Sequence, residues 1–280
     1  MLLAIDSGNT NVVFGVFDGT DFVKAFRCAN DPKRTADEYI VWLSELMTLN
    51  GLDHTKITGT VIGSVVPETE FNLVSLCRRY FDGEPIVIGD PGVELGIQVL
   101  IDRPEQAGAD RLVNAVEAHR TYGGPLICID FGTATTFDVV DGDGNYRGGV
   151  ISPGIRLSLE ALYLASAKLP LVEVAPSETV IGKSTVHAMQ SGIFWGYVSM
   201  IEGMVDRIRR EYGEDMKVIG TGGLAELFAE RTDVIEHTDR SLTLRGLVEI
   251  YQRNGGIVWP RLVSATRTHR VLMSSCSCRW

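Results

Sequence analysis

The chain lacks any apolar run long enough to cross a bilayer: its longest apolar and glycine stretch, Gly192 to Ile201 broken only by Ser199, is about half of a ~20-residue span. No membrane partner is expected. No secretory signal is expected either, because Met1 leads directly into the strand-like Leu2 to Ile5 and then Asp6, with no basic start. A cytoplasmic protein is expected. Cysteine is sparse: of five, only Cys276 and Cys278 have anything like metal-type spacing, so no disulfide framework is implied and Cys28, Cys77 and Cys128 read as core residues. No two of the five histidines have metal-ligand spacing, and His187 reads as a helix-surface residue. Positive charge is short too. With 26 Lys and Arg against 36 Asp and Glu, the net charge is -10, which would repel a phosphate backbone and argues against nucleic-acid partners.

Two familiar nucleotide signatures are missing. Gly182-Lys183-Ser184-Thr185 ends like a Walker A loop, but Ser177 stands where its first glycine belongs and no strong strand precedes it. Gly144 to Gly149 lacks the Gly-x-Gly-x-x-Gly dinucleotide pattern. What is present is a chain of 280 residues, 45% apolar and 22% charged, enough for one large or two ordinary domains.

The chain reads as one plan written twice. Leu2 to Asp6, Val12 to Phe17 and Phe22 to Arg27 predict a three-strand meander turned by Asp18-Gly19, followed by a helix with a Thr35-Ala-Asp-Glu38 capping box. Val61 to Val66 and Pro85 to Ile88 predict strands separated by a helix starting near Pro67. After a helix over Pro104 to Tyr122, the meander recurs as Leu126 to Asp130, Thr135 to Val140 and Tyr146 to Ile151, turned by Asp141-Gly142. Helices are expected near Arg156 to Ala167, Ser184 to Tyr212, Leu224 and Leu242, with a strand over Lys217 to Ile219. The expected division is 1–118 and 119–254, bridged by a helix, leaving 255–280 as an atypical tail with four arginines and no acids.

Each meander opens on Ile-Asp-x-Gly and small polar residues: Asp6-Ser-Gly-Asn-Thr-Asn11 and Asp130-Phe-Gly-Thr-Ala-Thr-Thr136. A strand ending in Asp before a tight glycine turn presents backbone N–H groups and hydroxyls suited to phosphate oxygens, with the carboxylate placed to hold a cation or its waters. Either copy alone is more simply turn chemistry. Two copies opening two similar halves would face each other across a cleft, as in the actin, sugar kinase and Hsp70 fold. Ile219-Gly-Thr-Gly-Gly223 supplies a glycine turn on which adenosine could lie against Gly222 and Gly223, though a plain strand-to-helix turn reads equally well. Between the hairpins, Asp110 and Arg111 stand in an apolar, small-residue stretch; they read either as a base with an anion clamp or as a salt-linked helix start.

In order, Asp6 to Asn11, Gly108-Ala-Asp-Arg111, Asp130 to Thr136 and Gly182 to Thr185 resemble the type III pantothenate kinases over about residues 1 to 254. The resemblance implies an α/β fold of two actin- or ribonuclease H-like halves and ATP-dependent phosphorylation of pantothenate, opening coenzyme A synthesis. It implies ATP contacts from Asp6, Ser7, Gly8, Asn9, Thr10, Asn11, Val12, Val13 and Thr133, with Asp6 near Mg2+. It implies Asp110 as general base, Gly108, Ala109, Asp110, Arg111 and Thr185 as substrate residues, and Asp130 at a monovalent cation, K+ or NH4+. A homodimer is implied, and the Ser184 to Tyr212 helix, apolar nearly all round, is either its interface or a buried core helix. One departure is Ile101, where some members carry an aromatic. Two other readings stay open: a same-fold kinase for another small hydroxyl substrate, and a nucleotide-binding accessory protein without turnover, which the retained Asp110 argues against.

Overall fold

The computed structural model describes residues 1–166 and 169–255; the tail expectation for 255–280 lies almost wholly outside them. Strands β1 (Leu2–Ser7), β2 (Asn11–Asp18), β3 (Asp21–Ala29), β4 (Gly59–Ser64) and β5 (Ile86–Val87) form one sheet in the order β3-β2-β1-β4-β5. Strands β6 (Leu126–Phe131), β7 (Ala134–Val140), β8 (Tyr146–Pro153), β9 (Lys217–Gly222) and β10 (His237–Thr238) form the other in the order β10-β9-β6-β7-β8. The two orders are the same topology: a meander whose first strand then pairs in parallel with a later strand. This is the two-half, mixed-sheet α/β fold the repeated pattern predicts.

The central strands are apolar on both faces because helices cover both. Along β1, Leu3 and Ile5 point to a core shared with helix α1 (Ala36–Leu49) and helix α2 (Pro67–Tyr80), the residues Tyr39, Leu43, Leu73 and Leu76 among it. The alternate residues Leu2 and Ala4 belong to a second core, to which helix α3 (Ala109–Tyr122) contributes Ala109, Val113 and Val116. Along β6, Leu126 and Cys128 face α3 as well, while Ile127 and Ile129 face away from it. Helix α3 is therefore a shared wall, with Ala109, Val113 and Val116 on the first sheet and Leu112, Ala115 and Ala118 on the second.

Helix α4 (Ile155–Leu164), helix α5 (Thr185–Tyr212) and helix α6 (Ala225–Ala229) follow β8 and β9. The last helix, α7 (Leu242–Arg253), returns to the first half, where Leu247 and Tyr251 join the core around Leu2 and Val61. It crosses α3 closely, since a Cβ on Gly246 would sit 2.4 Å from the Val113 carbonyl oxygen. Arg245 on α7 bonds both Glu117 of α3, at 2.8 Å, and Asp239 beyond β10.

Caps stand where the sequence puts them. Thr35 and Glu38 form the reciprocal box at α1, and Pro67 opens α2. Ser184 caps α5 by accepting the His187 N–H at 3.2 Å, which accounts for the Gly-Lys-Ser-Thr run as helix-start chemistry. Two expectations shift. Pro104 to Tyr122 is not one helix: a short 3-10 turn over Pro104–Gln106 precedes an extended Gly108, and α3 starts at Ala109. In the second meander the left-handed residue is Gly144, not Gly142, because Asp141 Oδ1 accepts the N–H groups of Asp143 and Asn145 and widens the turn.

Candidate active site

Ligands of open α/β sheets gather at strand carboxyl ends, and here four such ends converge. Asp6 lies opposite Val13 and beside Gly63; Asp130 lies opposite Thr136 and beside Thr221. The two aspartates hold the same place in the two sheets. In each turn the glycine N–H closes on the next strand, Gly8 to the Asn11 oxygen and Gly132 to the Ala134 oxygen, both at 3.0 Å. The tips meet: Thr10 and Thr133 share a hydrogen bond between hydroxyls of 2.7 Å. Asn30, just past β3, braces the first turn by donating its side-chain amide to the Gly8 oxygen and its backbone N–H to the Thr10 oxygen.

Because α3 starts at Ala109, Asp110 falls in its first turn, between the hairpins. Its Oδ1 accepts the Arg111 N–H at 2.8 Å, and Gly108 leaves it room, since a Cβ there would lie 2.6 Å away. Burial pushes the Asp110 carboxyl up against the pull of the Arg111 N–H and charge. Asp6 rises to about 7, chiefly through burial, then through the charge of Asp110, with Arg27 opposing. Asp130 also rises to about 7, through burial and then Asp110, Asp6 and Asp138. Three carboxylates thus share one poorly solvated pocket of negative charge.

That charge is what a cation would relieve. Among the described residues no three Asp, Glu, His or Cys side chains converge into a metal cage. Mg2+ commonly keeps most of its waters and takes one or two carboxylates beside phosphate oxygens, so single aspartates fit it. Ser7 adds a buried hydroxyl with no protein partner at the base of the first turn. The donor set fits a metal-bound nucleotide phosphate.

The glycine turn after β9 reaches the same place. A Cβ on Gly222 would lie 2.6 Å from Asp130 Oδ1, and Gly222 has φ +88°, whereas Gly223 faces open space. Thr185 is different: it opens α5, is exposed, and makes no hydrogen bond to the other site residues. The apolar stripe of α5 is consumed within the chain, Phe194, Tyr197, Val198 and Ile201 being buried with Phe228. Ile101 lies against Gly148, 3.4 Å from where its Cβ would be.

Sequence reasoning missed Asp138 on β7. It has no solvent exposure and accepts from Arg111 Nε at 2.6 Å, Tyr146 Oη at 3.0 Å and Thr136 Oγ1 at 2.8 Å. Burial lifts it to about 6 although Arg111 pulls it down. The available signal was an acid between Phe137 and Val139, in the apolar second half of the strand.

Two duplicated sheets with facing phosphate-type turns and a carboxylate between them define an actin-like ATPase scaffold arranged for phosphoryl transfer. The fold agrees with solved structures: a Campylobacter jejuni protein assigned to the Baf family of transcriptional activators superposes with TM-score 0.57 at 20% identity, over 91% of this chain and 100% of that one. The ethanolamine utilization protein EutJ of Carboxydothermus hydrogenoformans gives 0.52 at 16% identity, over 88% of each. These likenesses show the fold alone. The family is shown by sequence: the type III pantothenate kinase profile matches residues 2–207. Type III pantothenate kinases of Paramagnetospirillum magneticum and Rhodospirillum rubrum are 63% and 61% identical, over 91% of this chain and 98% and 99% of theirs. The chain belongs to the type III pantothenate kinase family.

Proposed function

We propose that the chain transfers the γ-phosphoryl group of ATP to the primary hydroxyl of pantothenate, the step that opens coenzyme A synthesis. The observation that carries this reading is Asp110 set between two equivalent aspartate-glycine hairpins in a chain of this family. Phosphoryl transfer asks a protein for alignment and charge placement more than for reactive side chains. Asp110 accepts the hydroxyl proton, its basicity raised by burial. Gly108 and Ala109 bring the chain close beside it, and Arg111 holds the substrate carboxylate. Asp6 to Val13 and Thr133 bind the phosphates, and Gly222 and Gly223 leave room for adenosine. Mg2+ near Asp6 and K+ or NH4+ near Asp130, when bound, neutralise charge gathering on the phosphate oxygens.

The halves 1–118 and 119–254 act as lobes, with α3 and α7 crossing between them. Thr185 contacts the substrate, and the exposed apolar residues Leu164, Leu171, Val180 and Ile181 fit a homodimer in which a second copy covers them. No helix among the described residues is long and apolar enough to cross a membrane, and a cytoplasmic enzyme fits the reading. The test is phosphorylation of pantothenate by the purified chain with Mg2+, comparing K+ with Na+. Turnover that rises with K+ is expected. ATP binding without turnover would overturn the reading.

A further inference from the structure

We propose that Asp138 is a positioning residue for acceptor recognition: it holds the Arg111 guanidinium so that its unengaged edge is turned toward the carboxylate of the substrate. This rests on the substrate role proposed for Arg111.

The argument starts from an imbalance. Asp138 is wholly buried and its two oxygens are engaged by Arg111, Tyr146 and Thr136. Arg111 spends Nε on it at 2.6 Å, and the guanidinium lies 5.6 Å above the Tyr146 ring. One carboxylate edge and one aromatic face together fix a planar group in orientation. Yet Nη2 of Arg111 has no protein acceptor, and the side chain as a whole keeps 15% exposure. Buried donors are almost always satisfied, so this one points to an acceptor the protein does not supply.

The guanidinium is seated closely against the β8 backbone, which only glycine allows. A Cβ on Gly149 would lie 3.0 Å from Nη2 and 1.9 Å from the Phe137 oxygen, and Gly148 before it has φ +101°. The wall opposite is also fixed, since residues 98 and 100 hydrogen-bond to the backbone of Tyr146 at 2.9 and 2.8 Å. A small planar anion is the ligand that a single preorganised guanidinium edge selects. The substrate carries such a group at the end opposite its phosphorylated hydroxyl, and Arg111 neighbours Asp110 in the chain.

The replacement of a buried, hydrogen-bonded carboxylate by a neutral amide frees Arg111 to turn. For Asp138→Asn the Michaelis constant for pantothenate should rise tenfold or more, with kcat and the constant for ATP changed less than about threefold. A merely structural role would not separate the two substrates in this way. The decisive measurement is a double-mutant cycle with Arg111→Ala. If Asp138 acts through Arg111, the double variant binds pantothenate no worse than Arg111→Ala alone. Multiplying effects, or a fall in kcat at unchanged pantothenate constant, would overturn the proposal. If Arg111→Ala leaves the pantothenate constant unchanged, the clamp beneath the proposal is what fails. Should Asp138→Asn not fold, Tyr146→Phe removes one donor to Asp138 and keeps the ring; a smaller rise confined to pantothenate supports the proposal, and no rise overturns it.

Discussion

Replacing Asp110 by asparagine keeps the size and shape of the side chain and removes one charge, so its two consequences separate cleanly. The amide oxygen can still accept the Arg111 N–H now bonded at 2.8 Å, and the start of α3 survives. The carboxylate proposed to take the hydroxyl proton is then gone. A positioned general base contributes about 10²–10⁴-fold, and kcat should fall by that order while ATP binding holds.

Stability should move the other way. Asp6 and Asp130 sit at about 7 in the folded protein against an ordinary 3.8, partly because Asp110 repels their charge. The native state therefore binds more protons than the unfolded one between about pH 4 and 7, so stability falls as pH rises through that window and stays low above it. Each unit by which the loss of Asp110 lowers a neighbour returns about 1.4 kcal/mol above pH 7. In a chain of this size that is about 2–4 °C per kcal/mol. Thermal unfolding of both proteins without nucleotide, from pH 5 to 8.5, should show Asp110→Asn more stable at pH 8. The gain should shrink toward pH 5, where Asp6 and Asp130 are protonated in both. Equal or lower stability at pH 8 would refute the shared field of three carboxylates, and retained kcat would refute the base.

Asp130→Ala should remove the response of turnover to K+; an unchanged response would move the monovalent cation elsewhere. Binding of Mg2+ and ATP should lower the raised Asp6 and Asp130 values, so protons are released at pH 6.5 and release fades by pH 9. Calorimetry in two buffers of different ionisation enthalpy reads this directly, and proton uptake would contradict it. Gly222→Ala places a Cβ 2.6 Å from Asp130 Oδ1 at a φ of +88°, and should cost about 1–3 kcal/mol and weaken ATP binding. Denaturant unfolding at wild-type stability would show that this close approach carries no constraint.

The hairpins were legible because their information is local and repeated. Asp and Gly at fixed spacing need only a few neighbours to define a turn, and the second copy shows that the first is not incidental. The lobe-crossing parts were not. Nothing around Arg245 says that α7 returns to β1, or that its side chain will join Glu117 and Asp239, because these partners meet only when distant elements pack. The break before α3 was missed for a related reason. Pro104 and the apolar spacing suit one helix, and only the need to seat Asp110 beside β1 and β6 explains an extended Gly108.

Asp138 shows what the repeat itself conceals. Strand register makes Cys128 the equivalent of Ala4, and therefore Asp138, opposite Cys128, the equivalent of Gly15, opposite Ala4. In the first half that position lets α7 approach, since a Cβ on Gly15 would touch Leu244 at 3.0 Å. In the second half the same position faces α3 and receives Arg111. A duplicated fold binds the quasi-symmetric phosphates with what its halves share. The acceptor has no symmetry, so the residues that recognise it belong where the halves differ. A buried acid in one copy against a glycine in the other is such a difference, and strand register brings it out, because the second turn is one residue shorter than the first and an ungapped alignment would set Val139 against Gly15.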